Sequence, residues 1–205
     1  MKTLMPAAIR CSLMFAAVAA LSFAQPAHAY TITLEQVGSN VVATGSGAID
    51  LTGLSFTGTD LLDNPLINPF IGFILTGASA STSSYTSLAF SGPLGFGQVF
   101  GSGALASSGS GDLVGIFGSL QLVFVPDGYV SGTLLSDSAT YNGATFASLG
   151  ATPGTYVWTW GAGANQNFTL QIGAHGVPDG GSTIGLLILA LAALFLARRA
   201  VPVQS

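Results

Sequence analysis

Thr31-Ile32-Thr33-Leu34-Glu35-Gln36-Val37-Gly38-Ser39-Asn40-Val41-Val42-Ala43-Thr44-Gly45-Ser46-Gly47 reads as a β-hairpin written out in full. The first seven residues alternate with period two, so Ile32, Leu34 and Gln36 share one face of a strand. Gly38-Ser39-Asn40 carries turn chemistry, and the β-branched and small residues from Asn40 to Gly47 run back as its partner. The same grammar recurs down the chain: short β-prone runs punctuated by Gly, Ser, Asn and Pro. Ala48–Leu54 reads as a further strand and Thr59–Pro65 (TDLLDNP) as a loop. Phe70–Thr76 and Ser84–Phe90 read as strands, and Gly101–Asp112 (GSGALASSGSGD) as a long Gly-rich loop or edge. Leu113–Phe117 and Leu120–Val125 follow, split by Gly118. Pro126-Asp127-Gly128 is a turn leading into a strand over Tyr129–Leu134. Thr145–Leu149 is the one short helix, with Thr145 as N-cap and Gly150 as stop. Tyr156–Trp160 and Asn167–Ile172 form the last hairpin. Eight to ten strands of this kind predict an all-β body, built as an antiparallel two-layer β-sandwich.

Both flanks of that body have a different character. Met1–Ala29 has the form of a secretory signal helix: Lys2 and Arg10 at its start, an apolar run from Cys11 to Ala24, then Ala27-His28-Ala29. That A-x-A pattern places cleavage after Ala29 and the mature N-terminus at Tyr30, with signal peptidase and the secretion translocon as the implied partners. Cys11 is the only cysteine and lies inside the signal, so the mature chain has neither a disulfide nor a thiol nucleophile. At the far end, the polar stretch Val177-Pro178-Asp179-Gly180-Gly181-Ser182-Thr183 precedes an uncharged apolar run from Ile184 to Ala197, closed by Arg198 and Arg199. Fourteen residues make a helix of roughly 21 Å at about 1.5 Å per residue. That is short of the roughly 30 Å bilayer core, until the small residues from Gly180 and the snorkelling arginine stems are added. The expectation is a single C-terminal transmembrane helix with its arginines on the cytoplasmic side. The chain therefore divides into a signal at 1–29, an ectodomain at 30–174 and a tail at 175–205.

The order of polar motif, short apolar helix, arginine pair and chain end resembles the PEP-CTERM class of bacterial sorting tails, in the variant that carries VPD-x-GST in place of Pro-Glu-Pro. The resemblance covers Val177–Arg199 and implies recognition in the inner membrane by an exosortase, a membrane cysteine protease-transpeptidase. Cleavage near Pro178–Asp179 and release or transfer to the cell surface are what the resemblance implies. Val177–Thr183 would then be substrate, and Arg198 and Arg199 the membrane stop. The same four residues recur as Val125-Pro126-Asp127-Gly128 inside the body, where no apolar run follows and they read as a turn. Val125–Gly173, with TPGTYVWTWG and FTLQIG, is similar to ectodomains that carry such tails, and no activity comes with that likeness.

Charge narrows the function classes. The four Lys and Arg residues of the chain are Lys2, Arg10, Arg198 and Arg199, so Tyr30–Gly176 has no basic residue except His175. Its acids are Glu35, Asp50, Asp60, Asp63, Asp112, Asp127 and Asp137, a formal charge of −7. Nothing there can neutralise phosphates, which excludes nucleic-acid binding, and ion pairs within the body are impossible. Gly and Pro make up 37 of 205 residues, short of the roughly one in four that marks low-complexity disorder. A folded body must therefore hold by apolar burial and hydrogen bonding.

Three candidate sites follow from side-chain chemistry. Tyr156, Trp158 and Trp160 alternate and so share a strand face, either a platform for sugar rings or core packing, with packing the preferred reading. Asp60, Asp63 and Asn64 offer oxygens to calcium but lack the Gly-bearing D-x-D-x-D-G loop, so turn formation explains them more simply. Catalysis has the least support: the one histidine of the mature chain, His175, borders the sorting motif, and no carboxylate pair stands out by spacing. The expectation is a non-enzymatic protein without cofactor, exported to the surface or exopolysaccharide matrix of a bacterium. The alternative is a carbohydrate- or calcium-dependent binding module.

Overall fold

The opening hairpin forms where its alternation places it. In the computed structural model, which describes residues 28–98 and 103–173, thirteen strands follow in order. They are β1 (Tyr30–Val37), β2 (Asn40–Ala48), β3 (Ser55–Asp63), β4 (Leu66–Asn68), β5 (Phe73–Thr76), β6 (Ala80–Thr86) and β7 (Ala104–Leu105). After these come β8 (Ser108–Gly111), β9 (Val114–Phe117), β10 (Leu122–Pro126), β11 (Leu134–Tyr141), β12 (Gly154–Thr159) and β13 (Asn167–Ile172). A 3-10 turn at Pro69–Ile71 and a helix α1 (Phe146–Leu149) complete the body. The signal segment through Ala27 and the tail from Ala174 lie outside the described residues.

The strands make two sheets, ordered β12-β13-β1-β2-β11-β8 and β3-β6-β10-β9-β5-β4-β7. Strands β1 and β2 pair antiparallel from Thr31↔Ser46 to Val37↔Asn40, and Tyr30, Ile32 and Leu34 point inward with no exposure. Inward residues of both sheets meet in one hydrophobic cluster. The first sheet contributes Ile32, Leu34, Val41, Trp158, Phe168 and Leu170; the second contributes Ile67, Ile74, Val114, Ile116, Val123 and Val125. Alternation puts Phe73, Leu75, Phe117 and Phe124 on the opposite face of the second sheet, where Phe73 and Phe117 stack at 4.6 Å.

One pairing departs from the all-antiparallel expectation. Strand β1 lies parallel to β13, in register from Tyr30↔Phe168 to Leu34↔Ile172, and β13 is antiparallel to β12. The first and last strands of the body are thus neighbours. A pairing between the two ends of a chain leaves no local trace, unlike a hairpin whose turn residues announce it.

Several elements differ from their sequence reading for definite reasons. Ile49–Leu54 is not strand, because the Asp50 carboxylate accepts from the Thr52 N–H at 2.9 Å and turns the chain. Thr59–Asp63 is not loop but the second half of β3. That strand pairs with β6 alone, and an edge with bulges after Phe56 and Asp60 accommodates Gly58 and the aspartates. Pro69 opens a 3-10 turn that Gly72 ends at φ +67, so the expected Phe70–Thr76 strand begins only at Phe73. The expected Ser84–Phe90 strand sits earlier, at Ala80–Thr86. Within Gly101–Asp112, read as a loop or edge, the edge reading holds: it contains the edge strands β7 and β8. Tyr129–Thr133 is loop and only Leu134 of the expected strand is strand, as the first residue of β11: the Tyr129 hydroxyl accepts from the Ile49 N–H at 3.1 Å and donates to the Thr133 carbonyl at 2.8 Å. Helix α1 is as read. The Thr145 hydroxyl accepts from the Ser148 N–H at 3.1 Å, and Gly150 closes the helix at φ +71.

Candidate functional site

Strand β11 carries the body's most unusual side chain. Its inward positions are Leu135, Asp137, Ala139 and Tyr141, so a carboxylate occupies a core position with only 5% exposure. Directly opposite Asp137 on β2 stands Gly45. On the far side of β2, Tyr30 of β1 extends its phenol past that glycine and donates a hydrogen bond to Asp137 Oδ2. A Cβ on Gly45 would lie 2.5 and 2.7 Å from the two carboxylate oxygens, so only glycine leaves room for the pair.

The electrostatics of this pair follow from burial without a counter-charge. Burial pushes the Asp137 pKa up to about 6, against the hydrogen bonds of Thr76 and Tyr30, which favour the charge. The Asp112 carboxylate adds to the rise. Oδ1 has no hydrogen-bond partner, and the Thr76 hydroxyl donates to the Val114 carbonyl at 3.4 Å. Burial, and then the charge of Asp137, hold the Tyr30 phenol well above its ordinary range. Sequence reasoning missed this site, and the signal that could have found it is the parity of Leu135, Asp137, Ala139 and Tyr141. Tyr141, on the same face, carries a buried hydroxyl without a hydrogen-bond partner, and burial raises its pKa too.

The aromatic face resolves into core. Trp158 has 0% and Trp160 2% exposure. Their indole N–H groups donate to the Pro93 carbonyl at 2.7 Å and the Asp50 carbonyl at 2.8 Å. Trp158 packs edge-on against Phe96 and Phe168, and Trp160 stacks on Phe90. Tyr156 is half-buried with its hydroxyl donating to the Thr152 carbonyl at 2.9 Å. A platform for sugar rings needs exposed faces, and the two tryptophans have none to offer; their alternation marks the inward side of β12.

The calcium reading rests on Asp60 and Asp63, whose side chains lie outside those described. Exposed Asn64 accepts from the Ser79 hydroxyl at 2.7 Å, a bond that ties the loop after β3 to the start of β6. Among the described residues no three His, Cys, Asp or Glu side chains come together to hold a metal ion. Three other carboxylates serve turns and edges. Asp50 takes the Thr52 N–H and the Ser131 hydroxyl, and the first of these bonds holds its pKa below the usual range. Asp112 takes the Ser136 N–H at 2.9 Å, and Asp127 the Ser83 hydroxyl at 2.9 Å.

Of the processing residues, Ala27 lies outside the described residues, and so do Val177–Thr183, Arg198 and Arg199. Ala29 and Tyr30 are described and are part of the sheet. Ala29 bridges to Ala48 in parallel, and Tyr30 begins β1. Among the described residues no helix is long and apolar enough to cross a membrane.

Residues 176–201 match the family model of the VPDSG-CTERM motif. This motif is a variant of the PEP-CTERM-type sorting signal that exosortases handle, so the tail marks an exported protein sorted at a membrane. Comparison with curated proteins and with solved structures gave no match.

Proposed function

We propose that this chain is a non-enzymatic structural protein of a bacterial cell surface or exopolysaccharide matrix, an all-β sandwich delivered by its C-terminal tail. In this reading signal peptidase releases Tyr30 as the first residue, and the apolar run 184–197 holds the chain transiently in the inner membrane. An exosortase then cuts near Pro178–Asp179. The observation that carries the reading is the motif match at residues 176–201, beginning just beyond the last ladder contact, Gly173 N–H to Leu34 carbonyl at 2.9 Å. The non-enzymatic part rests on side-chain inventory: no Lys, Arg or Cys between Tyr30 and Gly173, and no histidine. A sugar-binding role loses support because Trp158 and Trp160 are core.

The test is intact mass and terminal peptide mapping of protein recovered from the native cell surface and medium. The expected product starts at Tyr30 and ends between Val177 and Gly181. A membrane-bound product still ending at Ser205 would make the tail a permanent anchor and overturn the exosortase step.

A further inference from the structure

The Ala29–Tyr30 bond lies inside folded structure. On one side the His28 carbonyl accepts from the Ala48 N–H at 2.9 Å and Ala29 bridges to Ala48. Gly47, at φ +129, approaches so closely that a Cβ there would fall 2.7 Å from the Ala29 carbonyl oxygen and from the Tyr30 Cα. Beyond the bond, Tyr30 is fully buried, its ring 5.1 Å from that of Phe168 and its hydroxyl on Asp137. A peptidase that cuts after A-x-A takes its substrate as an extended strand and hydrogen-bonds the backbone on both sides of the bond. Here the backbone of residues 28–30 is already paired or covered, and exposing it means drawing Tyr30 out of the core.

We propose that folding of the body shuts its own N-terminal processing site, so that signal removal happens before β1 docks or not at all. The topology times this closure. Tyr30 is seated against Phe168 of β13, the last strand of the body, so its pocket is incomplete until the chain through Ile172 has crossed the membrane. Contacts between chain ends form against the largest loop-closure entropy and therefore late. The bond stays open throughout export and closes with the final strand. A precursor that folds uncut is locked in that form, because cutting it requires local unfolding of a fully buried strand start.

This inference rests on the export reading, and one experiment separates the two. Full-length precursor is refolded in detergent, and its cleavage by purified signal peptidase is compared with that of the same precursor freshly diluted from urea. The products are mapped by N-terminal sequencing. The expected result is cleavage between Ala29 and Tyr30 in the unfolded precursor, slowed at least ~100-fold once folded. A folded Asp137→Ala precursor, which loses the Tyr30 anchor without altering the cut sequence, should regain at least ~10-fold of that rate. Equal rates for folded and unfolded wild-type precursor would overturn the gating while leaving the export reading intact. No cut at this bond in the unfolded precursor would overturn the cleavage assignment and the gating with it.

Discussion

Asp137 should make this domain more stable in mild acid than at neutral pH, the reverse of ordinary acid denaturation. Its pKa is raised from 3.8 to about 6 on folding. The folded state therefore binds the proton more tightly than the unfolded chain does. The associated stability is complete below about pH 4 and is lost as pH rises through about 6. A shift of roughly two units at ~1.4 kcal/mol per unit amounts to about 3 kcal/mol across that window. At ~2–4 °C per kcal/mol for a domain of this size, the melting temperature should fall by about 6–12 °C between pH 4 and pH 7. The assay is thermal unfolding of the mature domain, followed by circular dichroism from pH 4 to 7.5, beside Asp137→Asn. The variant removes the titration but leaves a buried amide to satisfy, so the slope with pH is diagnostic rather than the absolute stability. Asp50 works in the opposite sense: its lowered pKa gives stability present above the unfolded value and lost below it, outside this window. General repulsion among the carboxylates shares the sign of Asp137 but survives in the variant. A wild-type curve that is flat or rises toward neutrality, or an Asp137→Asn curve with the same slope as wild type, would refute the reasoning.

Three further outcomes follow from the same packing. Trp158→Ala or Trp160→Ala should lower stability by about 3–5 kcal/mol. Titrating the wild-type protein with polysaccharide should leave tryptophan emission unchanged; a saturable shift would return these rings to the ligand-binding reading. Gly45→Ala should cost more than about 2 kcal/mol, because its methyl overlaps the Tyr30–Asp137 pair. Paired with Asp137→Ala it should cost clearly less, and additive losses in that double-mutant cycle would separate Gly45 from the pair.

Where polarity and periodicity agreed, the fold was legible. The hairpin 31–47 shows its alternation and its turn, helix α1 shows both caps, and the strands flanking 160–166 show their aromatic and β-branched runs. Strand β11 was hidden because an inward position holds Asp137, and a carboxylate in the middle of LLSDSATY masks the apolar phase. Strand β3 was hidden because Asp60 and Asp63 look like turn residues, whereas an edge strand with bulges tolerates them. Parity identified the shared face of Tyr156, Trp158 and Trp160 but not its direction, since a strand with one buried face looks the same whichever way that face is turned. The sorting motif could be read directly because its signature lies in one continuous run of residues, 176–201.

The placement of a buried acid in a body without a Lys, Arg or His side chain has a structural logic in β2. The inward residues of that strand include Ala43, Gly45 and Gly47, side chains too small to fix its register by packing. Both neighbours must nonetheless align on it, because a slip of one residue would turn each strand inside out. The Tyr30–Asp137 hydrogen bond spans β2 at Gly45 and joins β1 to β11 in only one alignment. A one-residue slip of β11 would turn Asp137 to solvent and leave Tyr30 buried without its acceptor, and the same slip of β1 would turn Tyr30 out and leave Asp137 buried without its donor. An apolar pair could fill the same space with less pH sensitivity, but it would not penalise the wrong register as sharply. The cost in stability near neutral pH is thus tied to specificity, and it falls at the junction where the first strand of the body must find its place.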